Sequence, residues 1–173
     1  MFILCSSKYA VLSTHRCGHT NMYHYFDLPP YVVTKFGIYD WKQHPNPIVV
    51  LRNPLDRVLS AQKFVNSSYI DNSESYDLVF ANHSAPYMDS ILTGVNLRII
   101  DFYALEEYIP RRKERSQSTR TDSRVDDTMK AEDVYVENKF YTLQDLEREM
   151  EIYQDYMATK ERVSVEEWKG LTE

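Results

Sequence analysis

The strongest constraint on this chain is a unit that occurs twice: an apolar run, a polar turn holding a cation, then a helix start. The first copy opens with Tyr9-Ala-Val-Leu-Ser13, a short β-prone run of the kind that makes a buried strand. Thr14 to His19 is polar, carries Arg16 and Gly18, and breaks the strand pattern. Thr20 or Asn21 is then placed to cap a helix running through Met22, Tyr25 and Phe26. Pro29 and Pro30 stop that helix, because proline has no N–H to continue it. The second copy is Ile48-Val-Val-Leu51 followed at once by Arg52-Asn-Pro-Leu-Asp-Arg57. Asn53 suits a cap and Pro54 the first helical turn, with Val58, Leu59 and Phe64 continuing an apolar stripe. Repetition of this unit predicts an α/β fold: a three-layer, P-loop-like domain with a short central parallel sheet flanked by helices. Ligands of such folds bind at the carboxyl ends of the strands.

Later segments fit the same plan. Leu97 to Tyr103 predicts a third strand, and Leu105 to Ile109 a helix after it. Residues 110–133 are dense in Arg, Lys, Ser, Thr and Asp, which predicts a flexible loop or lid. Thr142 with Asp145 predicts a capping box, and Leu143, Leu146, Met150, Tyr153 and Met157 one apolar face behind it. Ser164 with Glu167 predicts a short closing helix.

At 173 residues, 43% of them hydrophobic and with fourteen tyrosines, the chain predicts a single globular domain over 1–173. Its net charge of −6 argues against a nucleic-acid partner, so any anion site is a local pocket of positive charge. Cys5 and Cys17 form no disulfide framework and suit a reducing compartment. The opening Met-Phe-Ile-Leu is too short for a signal peptide, and no segment is long enough to span a membrane, so the expectation is a cytoplasmic protein with no membrane partner. Oligomeric state is not legible.

Both turns can cradle an anion. A guanidinium is a permanent cation with a fork of donors matched to phosphate or sulfate. In the second turn, Arg52 ends a strand and Ser60 lies two helical turns on, within reach of the same anion. A purely structural reading instead pairs Arg52 with Asp56 and leaves Ser60 as a small helix residue. His15-x-Cys17-x-His19, with His24, also permits a metal reading, but no second ligand pair stands at a usual spacing, so no metal is expected.

Two cradles on neighbouring strands suit a ligand with two separate phosphates, and here the chain resembles the sulfotransferases that use 3′-phosphoadenosine-5′-phosphosulfate (PAPS). Arg52-Asn-Pro-Leu-Asp-Arg57 with Ser60 is similar to that family's 3′-phosphate motif. Arg16-Cys-Gly-His-Thr-Asn21 looks like its 5′-phosphosulfate loop, close to the carbohydrate-acting branch. Asn82-His83-x-x-Pro86, Asp101 to Tyr108 and Ile152-Tyr-Gln-Asp-Tyr156 are similar to later blocks of that branch. The resemblance implies sulfuryl transfer from PAPS to an acceptor hydroxyl, on a glycan or small molecule, leaving 3′,5′-adenosine bisphosphate (PAP). It implies that Arg16, Cys17, Gly18, His19, Thr20 and Asn21 hold the 5′ side and Arg52 and Ser60 the 3′-phosphate. His83 is the expected general base and His15 its understudy. Arg16 departs from the family's usual lysine, so it acts as an electrostatic clamp and not as a proton donor. The rivals are a nucleoside-phosphate kinase-like protein, which lacks here its Gly-x-x-x-x-Gly-Lys signature, and a non-catalytic nucleotide- or anion-binding module.

Overall fold

A computed structural model describes residues 1–28, 37–68, 84–110 and 141–173 of the chain. Four strands form one sheet in the order β1 (Phe2–Cys5), β2 (Ala10–Ser13), β3 (Pro47–Leu51), β4 (Arg98–Asp101). β2, β3 and β4 run parallel, whereas β1 pairs antiparallel with β2. The sheet is therefore mixed and not wholly parallel. The extra strand is Phe-Ile-Leu-Cys, too short for periodicity to mark it. It is folded back by a turn in which Ser6 N–H donates to Tyr9 O at 2.8 Å.

Successive residues of each strand face opposite sides of the sheet, and both sides are covered. Val11, Ile48, Val50 and Ile100 enter one core with Met22, Tyr23, Leu105 and Trp168. Leu12, Val49, Leu51 and Ile99 enter the other with Trp41, Met88, Ile152 and Tyr156. The first core is closed by α1 (His19–Tyr25), α4 (Leu105–Tyr108) and α6 (Val165–Thr172). The second is closed by α2 (Ile38–Gln43), α5 (Leu143–Thr159) and a wide turn over Met88–Leu92. α3 (Pro54–Ser68) follows β3 as expected, with Leu55 N–H bonded to Asn53 Oδ1 at 2.9 Å. The free edge of β4 is covered by residues 161–163, since Ile99 N–H donates to Glu161 O and Val163 N–H to Ile99 O. Among the described residues no helix is long and apolar enough to cross a membrane.

Two expectations shift by a small rotation. α1 starts at Gly18, not at Thr20 or Asn21, because the preceding turn needs a left-handed residue and Gly18 supplies φ 83°. The capping box on α5 forms, Thr142 Oγ1 accepting from Asp145 N–H, but the buried stripe is Leu146, Glu149, Ile152 and Tyr156, and Leu143 is exposed. Glu149 explains the rotation: its carboxylate accepts from the N–H groups of Tyr87 and Met88, and the hydroxyl of Tyr156 bonds Leu92 O, pinning that side of the helix inward. His83 and the 111–133 part of the expected lid lie outside the described residues.

Candidate anion site

The three parallel strands deliver their carboxyl ends, and the loops that follow, to one edge of the sheet. The loop after β2 is wound tightly on itself. Ser13 Oγ donates to Cys17 O at 2.7 Å, Cys17 N–H to Thr14 O at 3.1 Å, and Thr14 Oγ1 to Cys17 Sγ at 3.3 Å. Arg16 sits inside this turn with φ 65°, a left-handed conformation that costs a non-glycine residue about 1–2 kcal/mol. That backbone twist has two consequences. The Arg16 carbonyl accepts from Arg52 Nη1 at 2.7 Å, and its Nε donates to Ser60 Oγ at 3.0 Å. Gly18 then packs so closely on α4 that a Cβ there would lie 2.4 Å from Leu105 Cδ2.

Arg52 and Arg57 frame this loop from β3 and α3. Arg57 is 3% exposed and well partnered: Nε donates to His15 O at 3.0 Å, and Nη1 to the carbonyls of Ser84 and Ala85 at 3.1 and 2.9 Å. Its guanidinium also lies 4.8 Å from the centre of the Tyr87 ring. Arg52, 5% exposed, is not saturated. One bond goes to Arg16 O, its guanidinium stacks 4.3 Å over Phe102, and its buried Nε has no hydrogen-bond partner among the described residues. No carboxylate of the described residues forms an ion pair with it. Asp56, its expected partner in the structural reading, instead accepts a hydrogen bond from the Tyr103 hydroxyl.

Of the residues singled out from the sequence, Arg16, Arg52 and Ser60 come together, although the contacts span 36 and 44 residues. Thr20 and Asn21 lie half-buried in the first turn of α1, whose start carries no side-chain cap. His15 and His19 meet edge to face at 4.9 Å, and His15 Nε2 lies 3.2 Å from the Met1 amino group. Cys17 is fully buried with its Sγ turned to Thr14, which makes it a packing residue of the loop. Among the described residues, no three His, Cys, Asp or Glu side chains converge as a metal would need.

Sequence reasoning missed Arg57, Phe102, Tyr103 and Glu149. Glu149 had a signal: it falls three residues after Leu146 and three before Ile152, in the middle of an apolar stripe. Burial pushes its carboxyl up, against the pull of the Met88 and Tyr87 N–H groups and the Arg57 charge. Phe102 and Tyr103 fell inside the Asp101 to Tyr108 block, but nothing local gives them a role, since their partners Arg52 and Asp56 lie far away in the sequence. No family model matches the chain, and neither the curated proteins nor the solved structures contain a significant match to it.

Proposed function

We propose that the chain binds a phosphorylated nucleotide at the carboxyl edge of its sheet and transfers a sulfuryl group from PAPS to an acceptor hydroxyl, on a P-loop-like three-layer fold. What carries the reading is Arg52: a buried guanidinium which, among the described residues, has no partner for its Nε and no carboxylate on it, beside Ser60 and Arg16. A buried cation left in that state is costly unless something anionic completes its bonds. Arg52 and Ser60 would hold the 3′-phosphate, and the loop from Arg16 to Asn21 would receive the 5′ side.

PAPS, when bound, supplies an activated sulfuryl group on a phosphate oxygen. The new bond joins sulfur to the acceptor oxygen, the bond from sulfur to the phosphate oxygen breaks, and the acceptor proton passes to a base. Arg16 is permanently charged, so it stabilises the charge that develops on the leaving oxygen without giving up a proton. His83 takes the acceptor proton in this scheme, with His15 as understudy. A sugar hydroxyl is the preferred acceptor, on the resemblance described above, and the free thiols Cys5 and Cys17 suit a reducing, cytoplasmic setting.

One observation favours a second reading. Arg16 and Ser60, assigned to opposite ends of the donor, are bonded directly to each other. A site closed in that way suits a single phosphate, as in a non-catalytic binding module.

Thermal-shift titration separates the two. At 100 times its dissociation constant a ligand adds about 2.7 kcal/mol of stability, which for a domain of this size raises the melting temperature by about 5–10 °C. A shift with PAP, absent with 5′-AMP and abolished by Arg52→Ala, supports the two-phosphate donor site. Equal shifts with PAP and 5′-AMP favour the single-phosphate module, and no shift with PAP at saturation removes the sulfotransferase reading.

A further inference from the structure

We infer that Tyr103 is a positioning residue for this site: its hydroxyl ties down the Asp56 carboxylate and so keeps it off the Arg52 guanidinium. The inference rests on the anion-binding reading of Arg52. Asp56 stands at the third helical position of α3, four residues after Arg52, where a carboxylate ordinarily reaches back to the helix cap. Here the carboxylate turns the other way and accepts from Tyr103. Tyr103 is 55% exposed, so burying its ring is not what keeps it in place.

Phe102 and Tyr103 are successive residues of one tight turn after β4, fixed by the bond from Tyr103 N–H to Asp101 Oδ1 at 3.1 Å. The first carries the Arg52 cation on its ring, and the second holds the Asp56 anion on its hydroxyl. Both charges act on that hydroxyl: after burial, Asp56 raises its pKa and Arg52 lowers it. One turn after β4 thus touches both charges, the cation through Phe102 and the anion through Tyr103. Without the hydroxyl, no other hydrogen bond among the described residues restrains the Asp56 carboxylate from a forked pair with Arg52, which would neutralise the site and compete with phosphate.

The test is calorimetric titration of PAP into the full chain and into Tyr103→Phe, Asp56→Asn and the double variant. Tyr103→Phe should bind about tenfold more weakly, the size expected when a carboxylate competes for a binding cation. Adding Asp56→Asn should restore binding to the wild-type level, since the amide cannot neutralise Arg52. A merely structural loss would not be rescued, so weak binding in the double variant overturns the inference, as does unchanged binding in Tyr103→Phe. If the wild-type chain binds no PAP, the anion reading fails, and a ligand-free arm decides the role of Tyr103. Double-mutant cycles of Arg52→Gln and Asp56→Asn, read from urea midpoints, should show coupling only in the Tyr103→Phe background. Equal coupling with and without the hydroxyl overturns the inference.

Discussion

Arg52 and Arg57 lie five residues apart in one motif, and both are buried, yet their surroundings differ in kind. Arg57 gives its donors to three backbone carbonyls from two loops and lies against an aromatic ring, so it fastens residues 15, 84 and 85 together. Among the described residues, Arg52 has one such bond and a buried Nε with no partner. Three bonds into backbone carbonyls suit a structural cation, and a buried donor left without a partner suits a cation that a ligand completes. On the proposed function, the same side chain serves stability at one position and recognition at the other.

Alanine substitution at each arginine puts the largest strain on that contrast. Arg57→Ala strands three carbonyls and should cost at least about 3 kcal/mol, since bonds from a charged donor are each worth about 1.5–3 kcal/mol. In a thermal melt that is a fall of about 6–12 °C. Arg52→Ala should change stability by no more than about 1 kcal/mol, because the lost bond is offset by removing a poorly solvated charge. Binding of PAP should nevertheless vanish. Comparable melting losses in the two variants would erase the distinction.

Glu149 sharpens the comparison, because its carboxyl feels the charge of Arg57. Its buried carboxyl is held above the ordinary carboxylate range, so the folded state binds a proton more tightly than the unfolded chain does. The stability this contributes is fully present below the unfolded pKa and is lost as pH rises through the folded one. Glu149→Gln keeps an oxygen for the Tyr87 and Met88 N–H groups. It should flatten that part of the pH–stability curve while leaving PAP binding alone. Unfolding by urea across the acidic range measures it, and an unchanged pH dependence would show that Glu149 does not titrate on folding.

The smallest effect belongs to an exposed local feature. Thr142→Ala removes the acceptor for Asp145 N–H at the start of α5 and should cost about 1 kcal/mol, read from the melting temperature, with no effect on ligand. A larger loss, or one that altered binding, would mean that α5 controls the site through Glu149.

The features that could be read from residues in order were of this local kind. The caps at Asn53, Thr142 and Ser164, the runs that became β2, β3 and β4, and the closing helix all depend on neighbours a few positions away. β1 escaped because four residues carry too little pattern, and its pairing is with a strand and not with its own sequence. The α5 stripe was read one position off, because the apolar pattern admits two rotations and the bonds to Tyr87 and Met88 choose between them.

By itself the sequence determined that this chain alternates strands with helices, that Arg16 and Arg52 follow strands, and that Ser60 lies two turns into the helix after Arg52. Propensity, capping and periodicity act over one or two turns, so one chain of letters contains them. Only the tertiary structure decided that Arg57 reaches three backbone carbonyls and Arg52 one, and that Asp56 bonds Tyr103 in place of its sequence neighbour. Those outcomes depend on which distant carbonyls and hydroxyls reach a buried guanidinium first, and only packing of the whole sheet brings them within 3 Å or so.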